Sequence, residues 1–148
     1  MKKLKLEYLS PYLPYNLRLI FEKSGRIINM QSCFNEGDLH ITDCGEGNDY
    51  NLKLWEFKPI LRPLSDLVEE INADNDNKTF APNIYLLENR ECEAEYEFIE
   101  ALYDDMRTVE DKMRFAPYSI FIQLVKWHFD VFGLIPKGLA FNINDLEK

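Results

Sequence analysis

Three cysteines and two histidines, Cys33, Cys44, Cys92, His40 and His128, are the residues of this chain best suited to hold a transition metal. Cys33, His40 and Cys44 lie close together in the sequence. Their spacing argues against a structural zinc site, because no two cysteines stand about two to four residues apart. Cys33 and His40 also fall on different expected elements, so no metal ligand is assigned. Asn72, Asp74, Asn75, Asp76 and Asn77 alternate oxygen-bearing side chains like the start of a calcium loop. The far end fails: counting from Asn72 puts Asn83 where a bidentate glutamate belongs, and counting from Asp74 puts Tyr85 there and Thr79 at the glycine position. A solvated polar loop is the expectation.

Either histidine has the chemistry of a general base. His128 falls on the apolar side of a helical stretch with Phe121, Leu124, Val125 and Phe132, the setting of a core histidine with a hydrogen-bond partner. His40 alternates to the outer face of a strand near Asp38 and Asp43, the setting of a surface ion pair. The chain has no G-x-S-x-G, no phosphate-binding glycine loop and only 6 glycines. No catalytic residue and no cofactor are expected. A hydrolase or metal-dependent enzyme would need a cleft where His40 or His128 converges with carboxylates. Tyr8, Pro11, Tyr12, Pro14 and Tyr15 could form a recognition surface, since prolines pre-order an extended segment and tyrosines anchor interfaces; packing over a sheet edge is the plainer use.

The charge is placed unevenly. Residues 91–111 hold nine acids, Glu91, Glu93, Glu95, Glu97, Glu100, Asp104, Asp105, Glu110 and Asp111, against the single base Arg107. That segment therefore carries −8 of the net −9, while the remaining 17 acids and 16 bases nearly cancel. On a helix, Glu93, Glu97, Glu100, Asp104 and Asp111 share a face, about one carboxylate per ~5.4 Å turn. Like charges so spaced cost about 0.2–0.5 kcal/mol per pair. Two readings stand: a solvated face that keeps the protein soluble, or a stripe that meets a basic protein surface, as in a protein occupying another's nucleic-acid channel.

The elements that must carry these residues follow from patterning. Leu17–Phe21 and Arg26–Met30 flank a Lys23-Ser24-Gly25 turn and predict a hairpin; the stretches 38–43 and 51–57 predict two more strands. Leu64, Leu67, Val68 and Ile71 at helical spacing predict a short helix, and Asn83–Leu87 reads as a strand or extended segment. A long helix is expected over 91–113, its core stripe Phe98, Leu102, Met106, Val109 and Met113. A second is expected over 118–132, opened by Pro117 and stopped by Gly133, with Ser119, Gln123, Lys126 and Asp130 as its polar stripe. Residues 139–144 alternate as a final strand. The predicted class is α+β, a small antiparallel sheet packed against two or three helices.

With 148 residues, 46% of them hydrophobic, the chain is expected to form one domain, 1–148, with a real core despite its charge. Three cysteines without scaffold spacing fit a reducing compartment, and the start of the chain reads as neither signal peptide nor anchor. A cytoplasmic protein without membrane or direct nucleic-acid contacts is expected.

Three stretches, Pro11-Tyr12-Leu13-Pro14-Tyr15-Asn16-Leu17, then the ten residues from Lys58-Pro59-Ile60-Leu61-Arg62-Pro63 to Leu67, then Lys126-Trp127-His128-Phe129-Asp130-Val131-Phe132-Gly133-Leu134-Ile135 with Lys137-Gly138-Leu139-Ala140, make up roughly a fifth of the chain. Together they resemble an uncharacterised family of small proteins found in phages and prophages of gut-type bacteria. The resemblance implies a mobile-element origin and supplies no activity, ligand or site. The resulting expectation is a non-enzymatic phage-type protein in the bacterial host cytoplasm. It would bind a bacterial protein with a basic surface, such as a nucleic-acid-binding defence enzyme inhibited in anti-CRISPR fashion, through Glu93, Glu97, Glu100, Asp104 and Asp111. A phage structural or assembly component is the first alternative, a small hydrolase the second.

Overall fold

A computed structural model describes residues 4–36, 38–43, 49–52, 56–72, 79–104 and 113–146. They form an α+β fold that divides into two compact units, Met1–Arg62 with Gly133–Lys148, and Pro63–Phe132.

The first unit holds six described strands, β1 (Arg18–Phe21), β2 (Ile27–Glu36), β3 (Asp38–Asp43), β4 (Asp49–Leu52), β5 (Phe57–Leu61) and β6 (Phe141–Asn142), in the order β4-β3-β2-β1-β5-β6. The expected hairpin is present, with Arg18 opposite Asn29 and Ile20 opposite Ile27. Its turn closes through Phe21 N–H to the Arg26 carbonyl at 2.9 Å and Gly25 N–H to the Phe21 carbonyl at 2.8 Å. Gly25 sits at φ 72°, where a Cβ is disfavoured. β2 then passes from β1 to β3 across a register shift between Met30 and Ser32, the place where the ladder changes neighbour.

Three expectations change here. The predicted 51–57 strand is replaced by β4, ending at Leu52, and β5, beginning at Phe57; Lys53, Leu54 and Trp55 lie outside the described residues. Pro59, beyond the end of the predicted 51–57 strand, lies inside β5 opposite Leu19 of β1. It is tolerated because β6 reaches only Ile60 and Leu61, so the missing N–H falls beyond that ladder. The final strand is two residues long and pairs parallel to β5, so the sheet is mixed rather than purely antiparallel; Ile143–Asp145 continues as a 3-10 turn, where the Asn142 side chain accepts from Asn144 N–H.

The tyrosine and proline segment is helical, not extended. Helix α1 (Leu6–Leu9) runs into a 3-10 segment, Ser10–Tyr15, that Asn16 ends in the left-handed region at φ 53°. Pro11 and Pro14 stand one 3-10 turn apart, and the fixed proline φ suits that helix. Tyr12, Leu9 and Leu17 are fully buried, which favours packing as the use of this segment.

The second unit begins with a 3-10 segment, Leu64–Val68, in place of the expected helix; Leu64 and Leu67 are buried while Val68 is exposed. Ile71 and Phe80 form an antiparallel bridge that closes the base of the polar stretch between them. Asn83–Leu87, read as extended, belongs to helix α2 (Pro82–Glu88), whose first residue is a proline with no N–H to waste there. Helix α3 (Glu93–Asp104) occupies the first half of the predicted 91–113 helix, and Met106 and Val109 lie outside the described residues.

Helix α4 (Tyr118–Lys126) ends six residues earlier than Gly133 had implied. The stop is His128, at φ 62°, with its N–H bonded to the Val125 carbonyl and the Phe129 N–H bonded back to the Leu124 carbonyl, both at 3.0 Å. That pair of bonds is a Schellman motif with histidine in the position glycine usually takes. Leu124 and Phe129, the apolar pair that accompanies it, are both fully buried. Phe80, Tyr85, Trp127 and Phe129 form an aromatic cluster with ring centroids 5.0–6.5 Å apart. Of the residues read on the apolar side of this stretch, Leu124 and Val125 are buried, as is Trp127, whereas Phe121, His128 and Phe132 are half-buried. Asp130, assigned to the polar stripe, is 3% exposed, because the helix that would have turned it outward has already ended.

Candidate functional site

α3 owes its start to the turn before it. At the end of α2 the Asn89 side-chain amide donates to the Tyr85 carbonyl, and Arg90 donates to the Leu87 carbonyl at 2.6 Å while its guanidinium lies over the Tyr96 ring at 5.0 Å. Glu93 and Glu95 then occupy the first turn of α3, where the helix dipole favours carboxylates. Part of the like-charge cost is offset there.

Glu95 differs from the other acids. It is 7% exposed, and its carboxylate accepts from two donors, the Ser119 hydroxyl of α4 and the Glu91 backbone N–H at 2.7 Å. The Ser119 hydroxyl first, and the Glu91 amide second, hold its carboxyl below the usual glutamate range against the opposing push of burial. The bond back to Glu91 resembles a capping box, in which a glutamate at the third helical position ties off a free N–H just upstream. One turn on, Ile99 is 1% exposed, so the buried side of α3 runs through Glu95 and Ile99, with Phe98 half-buried beside it.

The acids expected to face a partner lie on the other side. At ~3.6 residues per turn, Glu93, Glu97 and Glu100 stand about 160°, 200° and 140° around the axis from Glu95. All three are exposed. Asp104 is the last residue of α3, and Asp111 lies outside the described residues. Read from sequence, Glu95 is one of the nine acids of 91–111, left off the shared acidic face and given no role. Its place four residues before Ile99 puts it on the buried side of α3.

The other candidates stay apart. Cys33 is opposite Ile41 and His40 opposite Phe34 in the β2–β3 ladder, Cys44 lies outside the described residues, Cys92 is an exposed free thiol, and His128 ends α4. Among the described residues no three of His, Cys, Asp and Glu gather to hold a metal ion. Asp74, Asn75, Asp76 and Asn77 also lie outside the described residues. Among the described residues no helix is long and apolar enough to cross a membrane. Compared with family models, curated proteins and solved structures, the chain matches none.

Proposed function

We propose that this protein is a non-enzymatic, mobile-element protein of the bacterial cytoplasm that binds a basic surface of a bacterial protein through the outer face of α3. A nucleic-acid-handling defence enzyme, of the CRISPR effector kind, presents such a surface in the channel that holds its nucleic acid. The observation that carries the reading is the exposure of Glu93, Glu97 and Glu100 on the side of α3 opposite Glu95 and Ile99. Exposed carboxylates so arranged steer association and weaken as salt rises. The test is capture of a basic nucleic-acid enzyme by the parent chain and by the folded Glu93→Lys/Glu97→Lys variant at low and moderate salt. Loss of capture by the variant supports the reading, and undiminished capture at both salt levels removes it.

A particle-assembly role is the second reading, favoured by Phe115 and Tyr118, which are 83% and 79% exposed on either side of the Ala116-Pro117 step. Exposed aromatic rings are common anchors of protein contacts. Self-association in solution that is lost on changing both to serine would favour it.

A further inference from the structure

We infer that the contact between Glu95 and Ser119 is the positioning element of the acidic face: it fixes the rotation of α3 about its own axis and so decides which carboxylates meet a partner. The inference rests on the reading of α3 as the binding face. Of residues 93–101 of α3, Glu95 and Ile99 are the buried ones. An apolar contact such as that of Ile99 has no preferred direction and tolerates rolling. A hydrogen bond to a carboxylate has both a length and an angle, and strengthens with the charge. Both oxygens of the Glu95 carboxylate are engaged, one by Ser119 of α4 and the other by the Glu91 N–H just before α3, so the carboxylate ties the start of α3 to α4. Ser119 is in turn held by its neighbours in α4, since Ile120 is 3% exposed and Phe121 N–H bonds to the Pro117 carbonyl at 3.0 Å. Rolling α3 by one residue, about 100°, would carry Glu100 from the outer face toward the buried side.

The test separates rotation from charge, because Ser119→Ala leaves the net charge of −9 unchanged. With Cys33, Cys44 and Cys92 replaced by serine, spin labels at Ile84 and Ala94, both exposed, report the distance between α2 and α3. The binding probe is a rigid, alanine-based helical peptide with one arginine per turn. The parent and Ser119→Thr, which keeps the hydroxyl, should show one narrow distance distribution and equal affinity. Ser119→Ala should broaden or shift the distribution and bind the peptide several-fold more weakly at low salt. Glu95→Gln, with one acceptor oxygen where two are needed, should do the same and serves if Ser119→Ala does not fold. Unchanged distances and affinity in these variants, alongside weakened binding by Glu93→Lys/Glu97→Lys, would overturn the positioning role and leave the binding reading intact. Altered distances alongside charge-reversed variants that bind like the parent would overturn the binding reading instead.

Discussion

α3 and α4 belong to the same compact unit and are joined by the hydrogen bond from Ser119 to the Glu95 carboxylate, yet they use their residues in opposite ways. α4 buries Ile120, Leu124 and Val125 against its surroundings and closes with the aromatic cluster around Trp127 and Phe129. α3 buries Ile99 and a carboxylate, and turns Glu93, Glu97 and Glu100 to solvent. Substitutions in α4 should therefore be read in stability, and substitutions on the outer face of α3 in binding. Glu95 is the one acid of α3 expected to behave like an α4 residue.

The largest expected effect lies in α4. Leu124→Ala deletes a fully buried side chain and should lower stability by about 2–5 kcal/mol through lost transfer energy and a residual cavity. An unchanged denaturation midpoint would contradict the core assignment. Next comes Glu95→Ala, which leaves two donors without their charged acceptor and should cost about 1–3 kcal/mol at neutral pH. The sign of its pH dependence follows from linkage. The folded-state pKa of Glu95 is depressed, so its contribution is complete above the unfolded glutamate value and is lost as pH falls through the folded one. Urea titrations of parent and Glu95→Gln at pH 7 and pH 3 should show a gap at the higher pH that narrows at the lower. A gap that widens in acid would contradict the depressed carboxyl.

A smaller effect tests the end of α4. His128→Gly and His128→Val both remove the imidazole, so the difference between them isolates the backbone. The left-handed conformation at φ 62° should make the valine variant less stable by about 1–2 kcal/mol. Equal stabilities would mean that the helix does not stop there.

These comparisons also show what was legible in the sequence. The 18–29 hairpin could be read because a Lys23-Ser24-Gly25 turn separates two short, largely apolar runs. β3 was read at its observed limits, and the two long helices were recognised by type. What escaped were places where a residue acts against its usual preference. His128 stops a helix where glycine is expected, Pro59 lies inside a strand, and Glu95 occupies a buried helix position. Glu95 depends on Ser119, 24 residues away, and Pro59 on its neighbouring strands, which local pattern does not report, while His128 takes a left-handed conformation that its residue type does not announce. Pro82, at the first position of α2, is a helix-start signal that the reading of 83–87 as extended does not use. Exposure of Glu93, Glu97 and Glu100 was readable from charge and spacing alone.

The smallest stability effect belongs to the outer face of α3, and it carries the central claim. Glu97→Lys should change the folding free energy by no more than about 0.5 kcal/mol, and Glu93→Lys/Glu97→Lys by no more than about 1 kcal/mol, since relief of like-charge repulsion offsets the loss of Glu93 from the favourable end of the helix dipole. Their association rate with the captured partner, followed by stopped flow at low and moderate salt, is the most direct test. The account predicts slower association by the double variant at low salt and a shallower salt dependence. A folded double variant that associates at the parent's rate, with the parent's salt dependence, would contradict it.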